Sequence, residues 1–347
     1  MGLPNQDLEQ VAIMSISALN IVDLRLNRTS HSLFGICTLA LIATAALVAG
    51  WLPITFSIVT VFLFAGPHNW VEARYFLSRL PARWGRLQGF FLVGFIGVVG
   101  LTAGFAGLSY LPDVLGEHWL SGLAGWNTLL ALWIALLVHL RSRQNPRRDW
   151  LWIWPVTFFL IALTWLTPML WSLGLVYLHP LIALWILDRE IRRTRPEYRR
   201  LYHVCLLAVP ICLGGLWWKL VGAPDLEGDD LLRRITHHAG AGLLDGVSSH
   251  LLVATHTFLE AVHYGVWLLA IPWLGARTNL WSVPRMPLGR RSLTWTRGLQ
   301  VFLALSACIV IVLWLCFYAN YPITRDIYFM LAMVHVLAEA PFLLRAL

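Results

Sequence analysis

The chain has 347 residues, of which 58% are hydrophobic and only 13% charged, about half the charged share of a soluble domain. Its net charge of +8 is almost wholly arginine, with Lys219 the single lysine. The arginines fall in short stretches between apolar runs, so membrane topology explains them better than a nucleic-acid partner. The apolar runs are about 20 residues long and do not alternate, which argues against a β-barrel and for an all-α, polytopic transmembrane helix bundle.

Residues 1–32 are mixed polar and include Asp7, Glu9 and Asp23. They lack a basic stretch followed by a cleavable apolar core, so no signal peptide is visible. They read as an N-terminal cytoplasmic segment able to form a short surface helix, ahead of a single transmembrane helical domain over 33–347. Ten spans are predicted: 33–51, 54–78, 88–111, 119–140, 150–172, 174–190, 200–222, 249–274, 299–320 and 325–345. The shortest, 174–190, reads as partly re-entrant. Arginines cluster after spans two (Arg74, Arg79, Arg83, Arg86), four (Arg141, Arg143, Arg147, Arg148), six (Arg189 to Arg200) and eight (Arg277 to Arg297). The odd-numbered loops are acidic or poor in charge, as in Asp113 to Glu117 and Asp225 to Asp230. This asymmetry places both termini on the cytoplasmic side. The turn 79–85 would suit anionic lipid headgroups, although topology alone accounts for its arginines. The five cysteines lie within apolar runs without CxxC spacing and read as small core residues.

Within these spans one pattern recurs. His68 and Glu72, His256 and Glu260, and His335 and Glu339 are each four residues apart, and the second pair extends to His263. On a helix, positions i and i+4 share a face and i+7 returns close to it. Each ionisable side chain in a bilayer costs a few kcal/mol on insertion scales, and a bound metal cation is an economical compensation for seven. All three copies lie on even-numbered spans that run in one direction, so they can meet at one depth. His179, before Pro180, lies on another such span.

Each residue also has a plainer reading. The 256–263 face could pack against a neighbouring helix through hydrogen bonds, although His, Glu and His on one face favour metal ligation. His68 follows Gly66-Pro67, a helix break of the kind that shapes a site. Glu72 lies two residues from Arg74 and could simply pair with it. Glu339 reads as an acceptor that orients a ligating imidazole. His179 is a possible ligand, Asp188 an interface charge, and His237 and His238 a weak pair in an extramembrane loop. The metal set is therefore His68, His256, Glu260, His263 and His335, with Glu72, His179 and Glu339 as supporting groups or further ligands. No catalytic residue is assigned. Glu260 to His263 has the Glu-x-x-His spacing of di-metal bundles, but it occurs once.

Gly66-Pro67-His68, Thr255-His256 through His263-Tyr264, and Val334-His335 through Glu339 resemble motifs of the Brp/Blh-type bacterial β-carotene-cleaving dioxygenases. That family looks like a membrane bundle holding non-haem iron through histidines from several spans. The resemblance implies His68, His256, His263 and His335 as iron ligands, in a bacterial inner membrane. The chain departs from the family pattern in carrying Glu260 where a second histidine is expected. His179 stands in for an early-span histidine motif.

The leading expectation is thus a membrane-embedded, metal-dependent oxygenase, with Fe(II), acting on an apolar polyene or lipid. The expected partners are the bilayer, an apolar small molecule and a further membrane protein. A haem-binding electron-transfer subunit, a transporter and an accessory subunit are the alternatives.

Overall fold

The computed structural model describes residues 30–108, 110, 116–144, 150–275 and 279–346. The N-terminal segment up to residue 29, with Asp113, Arg147, Arg148 and Arg277, lies outside the described residues. Those described are helical, with no strand among them.

Among the described residues, nine helices are long and apolar enough to cross a membrane. They are α1 (Ser30–Trp51), α2 (Pro53–Arg79), α3 (Gln88–Leu108), α4 (Trp119–Ser142), α6 (Pro168–Thr194), α7 (Pro196–Leu220), α9 (Ser249–Gly275), α10 (Leu293–Ala319) and α11 (Tyr321–Ala346). Between them come the shorter α5 (Ile153–Leu166) and α8 (Asp230–His238). The expected boundary near residue 173 lies instead at Thr167, where φ −142° and ψ 62° break the helix and Pro168 opens the next one. Proline suits a first helical turn, where its missing N–H would have no partner anyway. As a result α6 runs 27 residues and is long enough to span, whereas α5 has only 14, fewer than the roughly 20 a crossing needs.

The bundle is arranged around α9. Nearly every residue from Ser249 to Gly265 is buried, and α9 packs against α2, α6, α7 and α8. By contrast, α10 presents Ile309, Val312 and Leu315 outward, as suits a helix facing lipid. α11 lies against α3, α2, α4 and α6. Close helix approach rests on glycine at two places that matter here. A Cβ at Gly66 would meet Val310 of α10 at 3.0 Å, and one at Gly97 would fall 1.8 Å from the Trp133 indole nitrogen.

The basic ends are tied down by specific contacts. Arg74 donates to the carbonyls of Leu280 (2.9 Å) and Trp281 (2.7 Å). Arg79 pairs with Glu190, and Asp188 accepts from Arg199 and contacts His203. The loop 223–248 folds partly as α8, which is capped where the Asp229 side chain accepts from the Leu232 amide at 2.9 Å.

Candidate metal centre

Four helices bring six potential ligands to one buried region. α2 supplies His68 and Glu72, α6 His179, α9 His263, and α11 His335 and Glu339. The ligand atoms of His68, Glu72, His263 and His335 all lie within 4.8 Å of one another, and so do those of His179, His263 and Glu339. The imidazoles stand ring against ring. Centroids are 5.3 Å apart for His68 and His263, 5.1 Å for His68 and His335, and 4.7 Å for His179 and His263.

The sequence makes each of these helices irregular beside its ligands. Pro67 precedes His68, Pro180 follows His179, and Pro341 lies two residues after Glu339; all three are inside helices. A proline within a helix removes one backbone bond and bends the axis. α9 has no proline at this point. It has a π-helical turn at Val266–Ala270, just after His263, a distortion found often at functional sites.

The environment of these groups is unusual for polar atoms. His68, Glu72, His263 and Glu339 are all at most 2% exposed. His68 Nδ1 lies 2.9 Å from the Phe64 carbonyl, which can take only a donated N–H. That leaves Nε2 as the ring's acceptor, and it is buried without a hydrogen-bond partner. Fixing one ring nitrogen on a backbone carbonyl and leaving the other for the metal is how ligating histidines are usually held. Both oxygens of Glu72, both oxygens of Glu339 and both ring nitrogens of His263 are likewise buried without hydrogen-bond partners. Such groups are rare in native structures and each costs about 1–3 kcal/mol. Arg74, the expected neighbour of Glu72, spends its donors on Leu280 and Trp281 instead. Metal binding among these atoms would give them partners, and an imidazole and carboxylate set suits iron, manganese or zinc.

The placement differs from the sequence expectation in one respect. His256 and Glu260 fall outside both groups, whereas Glu72, His179 and Glu339, expected to play supporting parts, fall within them. The reason is helical rise. His256 lies seven residues before His263, about 10.5 Å along the axis, and its ring sits beside His238 (5.1 Å) and Tyr177 (6.0 Å). Glu260 turns to Tyr264, which donates to it at 2.7 Å. Tyr264 in turn lies 4.4 Å from the His68 ring.

Above the cluster is a cavity of about 800 Å³. Most of its wall is apolar, with Phe105, Trp126, Leu173, Val176 and Met333 among the lining residues. Its far end is polar, formed by His256, Glu260, Arg325 and His238. His238 stacks on Phe329 at 4.4 Å. Burial, then the neighbouring His256 and Arg325, hold it well below the ordinary histidine pKa. Of this polar end the sequence analysis singled out His256 and Glu260 but not Arg325, and it read His237 and His238 as a weak pair in an extramembrane loop, whereas both line the cavity. No family model matches the chain, and no match was found among curated proteins or solved structures.

Proposed function

We propose that this protein is a membrane-embedded metalloenzyme, an oxygenase that acts on an apolar polyene or lipid. One observation carries the reading: buried, unpartnered imidazoles and carboxylates from four helices converge at the base of a large, mostly apolar cavity. His68, Glu72, His263 and His335 are the residues that would hold the metal, with His179 and Glu339 adjoining them. Iron bound there would supply dioxygen activation, the chemistry that its N/O donor set favours. The chain's own part is to orient substrate and exclude water. The mostly apolar cavity walls suit a long apolar molecule, and the imidazoles of His68, His179, His263 and His335 line the same cavity. Resemblance to the Brp/Blh-type dioxygenases points the same way and leaves the substrate open. Haem fits less well, because His263 has three other imidazoles around it, with ring centroids 4.7 Å away for His179, 5.3 Å for His68 and 6.3 Å for His335, which crowds out a porphyrin.

On this reading the arginine-rich turns share one side, which requires α5, short as it is for a full crossing, to traverse as a tenth span. The arginine-rich turns and both termini then face the cytoplasm, in a bacterial inner membrane. Elemental analysis and the visible spectrum of the purified protein test the centre. Non-haem iron lost in His68→Ala supports it; a Soret band, or a folded protein that binds no metal, refutes it. Co-expression with a carotenoid pathway, followed by product analysis, tests the substrate class.

A further inference from the structure

The six ligands are too many, and too widely spread, for one ion. Metal bonds to nitrogen and oxygen are near 2.1 Å, so donors in trans positions lie about 4.2 Å apart and those in cis about 3 Å. The six do not form one set with all ligand atoms within even 4.8 Å; they fall into two, sharing only His263. A single ion saturated by six side chains would also have no open position for chemistry.

The plainer reading makes Glu339 a hydrogen-bond acceptor that orients His179. His179 Nδ1 lies 3.0 Å from Glu339 Oε2, a separation that also matches two cis ligands of one ion, and Glu339 Oε1 is buried without any hydrogen-bond partner. Glu339 is 0% exposed, so no water shell takes the place of that partner. His263, the residue common to both groups, has no hydrogen-bond partner at either ring nitrogen, whereas a buried imidazole ordinarily satisfies both.

We infer that the centre is dinuclear, with one ion held by His68, Glu72 and His335, a second by His179 and Glu339, and His263 between them. This rests on the proposed metal reading and adds its nuclearity. With His263 bound to both ions as an imidazolate, its ring N–H proton released to solvent, each ion has three or four protein ligands and positions left open.

Cobalt(II) is a suitable probe, because its visible bands report coordination. The full chain, purified in detergent and stripped by chelation, is titrated with cobalt(II), and bound metal is counted after desalting. The wild type is expected to bind two equivalents; Glu339→Gln and His179→Ala are each expected to retain one. Saturation of the wild type at one equivalent, unchanged by Glu339→Gln, overturns the second ion and leaves a mononuclear centre standing. A wild type that binds no cobalt overturns the dinuclear assignment and the metal reading together. The wild-type count decides the matter even if a variant fails to fold.

Discussion

Glu72→Gln is expected to act in opposite directions depending on whether metal is bound. Glu72 is 1% exposed, and both of its oxygens are buried without a hydrogen-bond partner. In metal-free protein this is a carboxylate in the wrong place. A buried acceptor without a partner costs about 1–3 kcal/mol, and a charged one more. Glutamine keeps the shape and has neither a charge to bury nor a proton to take up on folding, so the stripped variant should be more stable than the stripped wild type by on the order of 1–3 kcal/mol. In loaded protein the same change removes a ligand. Even residues one step removed from a metal cost 10–100-fold in affinity when mutated, or about 1.4–2.7 kcal/mol, so the loaded variant should be less stable by at least this. At roughly 2 °C per kcal/mol for a large domain, the two melting shifts are a few degrees each and of opposite sign. Thermal unfolding in detergent, with and without chelator, measures both. Shifts of the same sign in the two states would refute the reasoning, since a purely structural Glu72 destabilises both when altered.

His256→Ala should leave metal content unchanged, whereas His68→Ala and His335→Ala should each lower it; equal loss in all three would place His256 in the centre after all. Gly97→Ala should destabilise by about 2–4 kcal/mol, because its Cβ would fall 1.8 Å from Trp133 Nε1, which donates to the Val93 carbonyl at 2.9 Å. Gly100→Ala, with nothing within 4 Å, should be neutral or stabilising by up to about 1 kcal/mol; melting curves for the pair check this, and equal shifts would contradict it. His238, whose folded pKa is depressed, binds fewer protons folded than unfolded, so its contribution to stability falls away as pH drops below about 6.5. His238→Phe, measured by melting temperature against pH, should flatten that acid limb by no more than about 1.4 kcal/mol per pH unit; an unchanged slope would mean that His238 is not held neutral.

Much of the fold was legible because it follows from local chemistry. Apolar runs of spanning length must become helices in lipid, where no other backbone arrangement satisfies its own hydrogen bonds. One boundary was missed. Residues 150–190 read as a span followed by a short re-entrant stretch, but Thr167-Pro168 turns them into a short helix followed by a full span. The run is apolar throughout, so hydropathy carried no boundary signal. The candidate centre was legible in its histidines at 68, 263 and 335, because each is an expensive intramembrane group with an acid on its own face. Its acids were not. Periodicity shows that His256, Glu260 and His263 share a face, but depth along the axis separates the first from the last.

The sequence by itself therefore determined the class of the molecule, a bundle of apolar helices, and the ionisable side chains that those helices carry. These depend on composition and on spacing within a single helix. Only the tertiary structure decided which ligands meet. It released Glu72 from Arg74 by giving Arg74 two carbonyls in a distant loop, set His179 against Glu339, and turned Glu260 toward Tyr264. Such choices depend on the relative depth and rotation of four separate helices, which packing around α9 sets and no single span encodes.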